Sequence, residues 1–310
     1  MTKYTVTPNG IGSSLTPSEA MKIAKAGDVF DFNGTFRSTV YANQDKIYFE
    51  NDDAVFDFNN INKPAILVRG DDTTIHGGEY REGGGLVARD VKGLTIDDVY
   101  SHHNVNNGIG AFLVDDMTIK NSDISYNKGA AGITYHPKDH HTGTKGHHII
   151  IENNDIYNNV QVGKTAESIG VLCDNNPKLD YTYSTLIYDN DIHDNGRVGV
   201  FVFNLTVYLR SNDIYDNGID TSINPAWRSE VMSRNSNIYG VGNTIDSGSS
   251  GHAIKIVGYD NNNWYLWKYN TINGDYTSNN PNYTPTLDRT NIVYDHEAPA
   301  WQEAPHLDWW

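Results

Sequence analysis

One short motif recurs along most of this chain: a β-prone run, an Asn or Asp turn, an isoleucine or valine, then a second polar turn. It is visible in DDTTIHGGEY, GLTIDDVYSHHN, MTIKNSDISYNKG, IIIENNDIYNNV, LIYDNDIHDNGR, VYLRSNDIYDNG and YGVGNTIDSGSS. The isoleucines Ile75, Ile96, Ile124, Ile156, Ile192, Ile214 and Ile245 return at intervals of 21 to 36 residues, the longer intervals marking coils with inserted loops. Self-similarity on this scale means a solenoid or an array. The leucine frame of leucine-rich repeats and the 3.6-residue apolar period of helical repeats are both missing. A single all-β, right-handed parallel β-helix remains, with inward aliphatics stacked in columns and turn asparagines bonded along a ladder. Its hand follows the general bias of parallel crossovers.

Each repeat is followed by a second strand that opens on glycine: GIGAFLVDD, GITYHPK, GVLCDNN, GVFVFN and GHAIKIVG, with GGLVARD as an earlier member. The two-residue period of a strand turns Ile109, Ala111, Ile133, Val171, Cys173, Val200, Val202, Ile254 and Ile256 inward. The same period turns Arg89, Phe112, Thr134, His136, Leu172, Asp174, Phe201, Phe203 and Lys255 outward onto one face. Exposed aromatic rings beside charged groups on a long face suit a sugar polymer. Cys173 is then a small buried hydrophobe, and as the single cysteine it excludes an intramolecular disulfide framework.

At the N-terminus, Thr16 and Glu19 have capping-box spacing and Pro17 sits at the first helical position, predicting a helix over 16–26 with Gly27 as its stop. Such a helix would plug the open end of the first coil. The expected organisation is one domain over 1–310: a cap over 1–38, coils over 39–275, and a turn-rich tail over 276–310 that closes the last coil.

The densest chemistry lies in GITYHPKDHHTGTKGHH, where Tyr135, His136, Lys138, Asp139, His140 and Lys145 crowd one segment of a chain with a formal net charge of -16. Histidine titrates near neutrality, and such neighbours shift tyrosine and lysine. The overall charge argues against nucleic acid as a partner. An acidic polysaccharide fits, because the cations are gathered locally. No stretch is apolar and long enough to span a bilayer, so no membrane partner is expected.

The opening SLTPSEAMKIAKAGDVFDFNGTF and the coil texture NNDIYNN and NDIHDNG resemble the parallel β-helix polysaccharide lyases and the mannuronan C5-epimerases that share their fold. The epimerases carry a tyrosine followed by Asp-Pro-His on a central coil. Here Tyr135 precedes His136-Pro137-Lys138-Asp139-His140, which keeps Tyr, Asp and His in order while splitting Asp-Pro-His, and the added Lys138 points toward a lyase. The resemblance implies a lyase acting on a uronate-containing, alginate-like polymer, with C5-epimerisation as the alternative. It also implies an extracellular setting, although MTKYTVTPNG has no apolar leader-like run. A monomer is expected.

Removing the C5 proton of a uronate requires a base, an acid for the leaving oxygen or for the opposite face of C5, and cations or donors to neutralise the carboxylate dianion. Tyr135 is the first candidate for the acid, and for the base if its neighbours deprotonate it; His140 and Lys138 are the other candidates for the base. Arg89, His136 and Lys145 are candidates for binding the substrate carboxylate. Asp139, Asp174, Phe203, Lys255 and one member of the pair His102 and His103 complete the expected substrate-binding set. Glycoside hydrolysis would need two carboxyl groups, for which Asp139 and Asp174 are available. A non-catalytic glycan binder of the tailspike or adhesin kind is the remaining alternative. Ca2+ is a possible cofactor at Asp115-Asp116 or Asp174-Asn175-Asn176, whose oxygens suit a hard cation.

Overall fold

The computed structural model describes residues 1–137, 149–160, 168–174, 184–248, 251–257, 265–278, 286–287 and 292–293. In these residues the chain winds as a parallel β-helix in which each full coil gives one strand to each of three sheets. Sheet A has twelve strands, from Lys3–Val6 to Thr286–Leu287; sheet B has eleven, from Gly34–Phe36 to Ile292–Val293; sheet C has ten, from Val40–Ala42 to Tyr276–Ser278. One coil runs through Met117–Lys120 in sheet A, Asp123–Ser125 in sheet B and Ala131–Pro137 in sheet C. All strand pairing is parallel and between successive coils, as in Ile119 with Ile151 and Ile124 with Ile156.

The isoleucine signal resolves into two columns rather than one. Ile75 and Ile96 belong to sheet A, in line with Ile119, Ile151 and Ile187, whereas Ile124, Ile156, Ile192, Ile214 and Ile245 stack in sheet B. Both sheets carry a central isoleucine followed by a polar turn. In the coils of Ile75 and Ile96 the sheet B position is filled by Tyr80 and Ser101 instead. All seven isoleucines are buried, each worth about 1.5–3 kcal/mol of apolar transfer.

The corners would strand backbone groups in the interior, because the ladder stops where the chain turns. Two files of asparagine satisfy them. At the corner between sheets A and B, Asn154, Asn190, Asn212, Asn243 and Asn270 stack. The Asn154 oxygen accepts from the Ser122 backbone N–H, and each later one from the backbone N–H and the amide of the preceding asparagine, as Asn190 does from Asn154 at 3.0 and 2.9 Å. Between sheets B and C, Asn104, Asn127, Asn159, Asn195 and Asn217 repeat the arrangement. Each amide also donates to a backbone carbonyl in the coil before, most often an isoleucine's, as Asn195 does to Ile156 at 2.9 Å. An amide both donates and accepts, so the file propagates; a carboxylate would stop it.

The second file ends on such a group. Gly248 stands where the next asparagine would be, and Glu230 fills the space from the position occupied by Gly199 in the neighbouring strand. Its oxygens accept from the backbone N–H and the side-chain amide of Asn217. The side chain is fully buried, and burial pushes its carboxyl up to about 8 despite those hydrogen bonds.

The helix spans Pro17–Ile23, with Thr16 as N-cap and the reciprocal Thr16 and Glu19 bonds of a capping box. It ends earlier than the sequence spacing predicts, because Ala24 is already extended and the chain must return to the strand Val29–Phe32. Ala20 is buried and Met21 and Ala24 pack against the core, whose first two coils are built on Phe30, Phe32, Phe36, Phe49 and Phe56. No helix among the described residues is long and apolar enough to cross a membrane. At the other end Gly240 makes room for the indole of Trp267, which lies 2.0 Å from where a Cβ would be. Strands at Tyr276–Ser278, Thr286–Leu287 and Ile292–Val293 continue all three sheets into the segment expected to be tail.

A carboxyl that holds its proton more tightly when folded contributes stability below its unfolded value near 4.5, and loses it as pH rises through about 8. Glu230→Gln keeps the shape without the charge. Urea denaturation is expected to show the wild type losing, relative to this variant, on the order of a few kcal/mol between about pH 5 and about pH 9.

Candidate functional site

Sheet C offers the site because its central strands are the longest and their outward side chains fall into two rows. The first row is Val87, Gly110, Thr134, Leu172, Phe201, Met232 and Lys255. The second contains Arg89, Phe112, His136, Asp174, Phe203 and Arg234, at the coil spacing of about 4.8 Å. Neighbours in this second row touch in sequence. The Arg89 guanidinium lies 5.4 Å from the Phe112 ring centre, and Phe112 stacks on His136 at 5.3 Å. His136 Nδ1 is 3.6 Å from an Asp174 carboxylate oxygen, and Arg234 lies 5.1 Å over the ring of Phe203.

The result is an imidazole and carboxylate pair at mid-row, flanked by two arginines that rest on rings. Elsewhere many cations meet carboxylates: Lys3 with Glu50, Arg81 with Asp57 and Glu79, Lys92 with Asp116, Lys120 with Asp97. Arg89 and Arg234 have no such partner among the described residues, so their N–H groups remain available to an anion. Beside them Ala131, Ile169, Val198 and Met232, with Leu172 and Phe201, form an apolar patch separate from the main core.

Several expected site residues are placed differently. Tyr135 follows strand alternation inward: its side chain is fully buried and its hydroxyl bonds to that of Thr185. Burial raises its phenol well above the ordinary value, so it belongs to the core and cannot act as an acid or base on the outer face. Pro137 is still within the strand, and alternation therefore holds through Tyr135. Cys173 beside it is also buried, its thiol pushed up to about 12 by burial. Thr134 points outward but is covered and accepts a bond from Asn107 at 3.1 Å.

His102 and His103 lie in and just after a sheet B strand, not on the sheet C face, because the chain has yet to turn the corner to Ile109. His102 bonds Glu79 at 2.9 Å and stacks on Tyr100, while His103 stacks on Tyr126. Lys255 occupies the expected row but is only 5% exposed. Of the two candidate calcium sites, Asp115 and Asp116 lie 3.9 and 3.2 Å from the Lys92 ammonium, which supplies the positive charge there. Asn175 and Asn176 of the other lie outside the described residues, as do Lys138, Asp139, His140 and Lys145.

The sequence reading missed Arg234. Its strand Ser229–Arg234 carries Glu230 at the position where the neighbouring strand has Gly199, and so lacks the signature of its neighbours. The separation of 52 residues between Phe203 and Lys255, two coils rather than one, is the signal that could have found it.

The outer face of sheet B is an acidic and aromatic stack. His193 lies between the rings of Tyr157 and Tyr215 at 5.1 and 4.9 Å, with Nε2 bonded to Asp155 at 3.2 Å and Nδ1 to Asp194 at 2.8 Å. Asp155, Asp191 and His193 have ligand atoms close enough to share a metal ion, yet both imidazole nitrogens already bond carboxylates.

A family model described as "Right handed beta helix region" matches residues 32–176. No curated protein matches the chain in sequence. Among solved structures, the alginate lyase from Paenibacillus sp. str. FPU-7 superposes with a TM-score of 0.58 at 15% identity, covering 94% of this chain and 99% of that one. The A-module of the Azotobacter vinelandii mannuronan C-5 epimerase AlgE6 gives 0.57 at 17% identity over 94% and 89% of the two chains. The Streptococcus pneumoniae surface adhesin PfbA gives 0.56 at 13% identity over 86% and 75%. The chain is thus a right-handed parallel β-helix, with the fold shared by that lyase and that epimerase.

The Asp155 hydrogen bond, opposed by burial and helped by Asp194, raises the His193 imidazole to about 9. Its stabilising effect is therefore complete below its unfolded value near 6.5 and is lost as pH rises through about 9. His193→Gln is expected to cost roughly 2 kcal/mol near pH 6 and almost nothing above about pH 10, read by denaturant titration at each pH.

Proposed function

We propose that the protein is a polysaccharide lyase that cleaves a uronate-containing, alginate-like polymer by β-elimination on the outer face of sheet C. The observation that carries this reading is the second row itself. In a chain of net charge -16, a His136 and Asp174 pair is flanked by Arg89 and Arg234, whose charges rest on rings rather than on carboxylates.

The chemistry follows from that placement. Asp174 orients the imidazole of His136, which takes the C5 proton of a bound uronate. The electrons of the broken C5–H bond form the C4–C5 double bond, and the C4–O bond breaks. The departing oxygen takes a proton from a second group. Lys138 and His140, two and four residues beyond His136 in sequence, are the candidates for that group. Arg89 and Arg234 draw the polymer's carboxylates onto the row, and an arginine beside the reacting sugar stabilises the charge that develops as C5 is deprotonated. An extracellular monomer acting on a soluble or matrix polysaccharide fits this reading.

Hydrolysis is less well served, because Asp174 is the one carboxylate in the two outward rows among the described residues, and two are required. Epimerisation shares the proton abstraction and differs only in where the proton returns.

Incubation with a panel of acidic polysaccharides should generate the ultraviolet absorbance of an unsaturated uronate. His136→Ala should lower that rate by about 10²-fold or more, with the thermal transition nearly unchanged. A change of epimer ratio without chain cleavage would replace elimination by epimerisation. Loss of viscosity without the absorbance would point to hydrolysis, and binding without any product to an adhesin-like role.

A further inference from the structure

The connection between the strands Asp213–Tyr215 and Ser229–Arg234 is longer than the one before it, and it carries a short 3-10 turn at Pro225–Trp227 beside the sheet C face. Trp227 is partly exposed, and its ring is met by two cations: the Arg197 guanidinium at 5.4 Å and the Lys255 ammonium at 5.2 Å from its centre. Arg197 Nε also donates to the Trp227 carbonyl at 3.2 Å, which fixes the turn over the sheet.

Lys255 is the unusual member. It is 95% withdrawn from solvent, and among the described residues its ammonium has no hydrogen bond and no carboxylate partner, only the ring. Burying an unpaired charge destabilises a fold unless something compensates it. His252, three residues earlier on the same strand, has a buried Nδ1 with no hydrogen-bond partner among the described residues. Burial lowers the Lys255 ammonium, helped by the nearby charge of Arg197, and burial with Lys255 lowers the His252 imidazole. Lys255 beside the ring and His252 near it on the same strand thus lack, among the described residues, an anion that would satisfy them.

We propose that Lys255, His252 and Trp227 form a distal subsite that binds the anionic group of one sugar in a polymer lying along the sheet C face. Lys255 is about three coil steps, roughly 14 Å, from Asp174, so the subsite binds chain beyond the reacting sugar and touches no bond that breaks. It rests on the reading of that face as the site of an acidic polysaccharide. The anion's chemistry, a carboxylate or a sulfate ester, is shared by uronate and sulfated polymers. An anion arriving there favours the protonated form of His252, which burial and the Lys255 charge disfavour in the free protein, so binding should take up protons.

The test is calorimetric titration of a full-length His136→Ala parent, which should bind without cleaving, using oligouronate, sulfated and neutral oligosaccharides of equal length. Adding Lys255→Met or Trp227→Ala should weaken anionic oligosaccharide binding about tenfold or more and reduce the proton uptake seen across buffers of different ionisation enthalpy. Lys255→Met should also leave the thermal transition unchanged or higher, since it removes an unpaired buried charge. A lysine kept only for structure would instead lower the transition and leave affinity intact. The relative affinities for oligouronate and sulfated chains name the anion. Undiminished affinity in both variants, with a parent that binds, overturns the subsite and leaves the function standing. A parent that binds no anionic oligosaccharide overturns the reading of the face and the subsite with it.

Discussion

Parallel pairing between successive coils, locked in register at the corners by the two asparagine files, is the constraint from which the rest of this protein follows. Each asparagine satisfies its neighbour in the next coil and a carbonyl in the coil before, so no coil that the files join can rotate or slip without orphaning several buried groups at once. A slip of one residue would also turn every core isoleucine outward. Register is therefore held from two sides, by hydrogen bonds at the corners and by aliphatic columns between them.

A fixed register makes each outward position a row with a spacing of about 4.8 Å, and the three faces use their rows differently. Sheet B sets carboxylates against tyrosines and a protonated histidine, so its charges are largely balanced internally. Sheet C sets cations on aromatic rings, which position them without neutralising them. That difference gives a chain of strongly negative net charge one face whose arginines meet rings instead of carboxylates among the described residues. The same coil geometry brings His136 and Asp174, 38 residues apart in sequence, to 3.6 Å.

Much of this was legible in the sequence, because a solenoid writes its period along the chain. The fold class, the capped helix, the inward positions of the glycine-led strands and the outward placement of Arg89, Phe112, His136, Asp174 and Phe203 all follow from counting residues. Where the reading departed from the structure, a local signal was imitated or missing. Sheets A and B both use a central isoleucine before a polar turn, which merged two columns into one. Glu230 replaced the expected glycine and hid the strand bearing Arg234. Tyr135 lay next to reactive side chains in sequence, but strand alternation decided its direction. The ring that meets Lys255 belongs to Trp227, delivered by a separate insertion, and no local pattern announces that.

The most direct measurement is a crystal structure of the His136→Ala variant soaked with an acidic oligosaccharide. The account predicts a sugar chain running parallel to the solenoid axis over sheet C, with its carboxylates within hydrogen-bond distance of Arg89 or Arg234 and one ring beside position 136. Sugar bound instead on the face of sheet A or sheet B, with the sheet C row left empty, would contradict it.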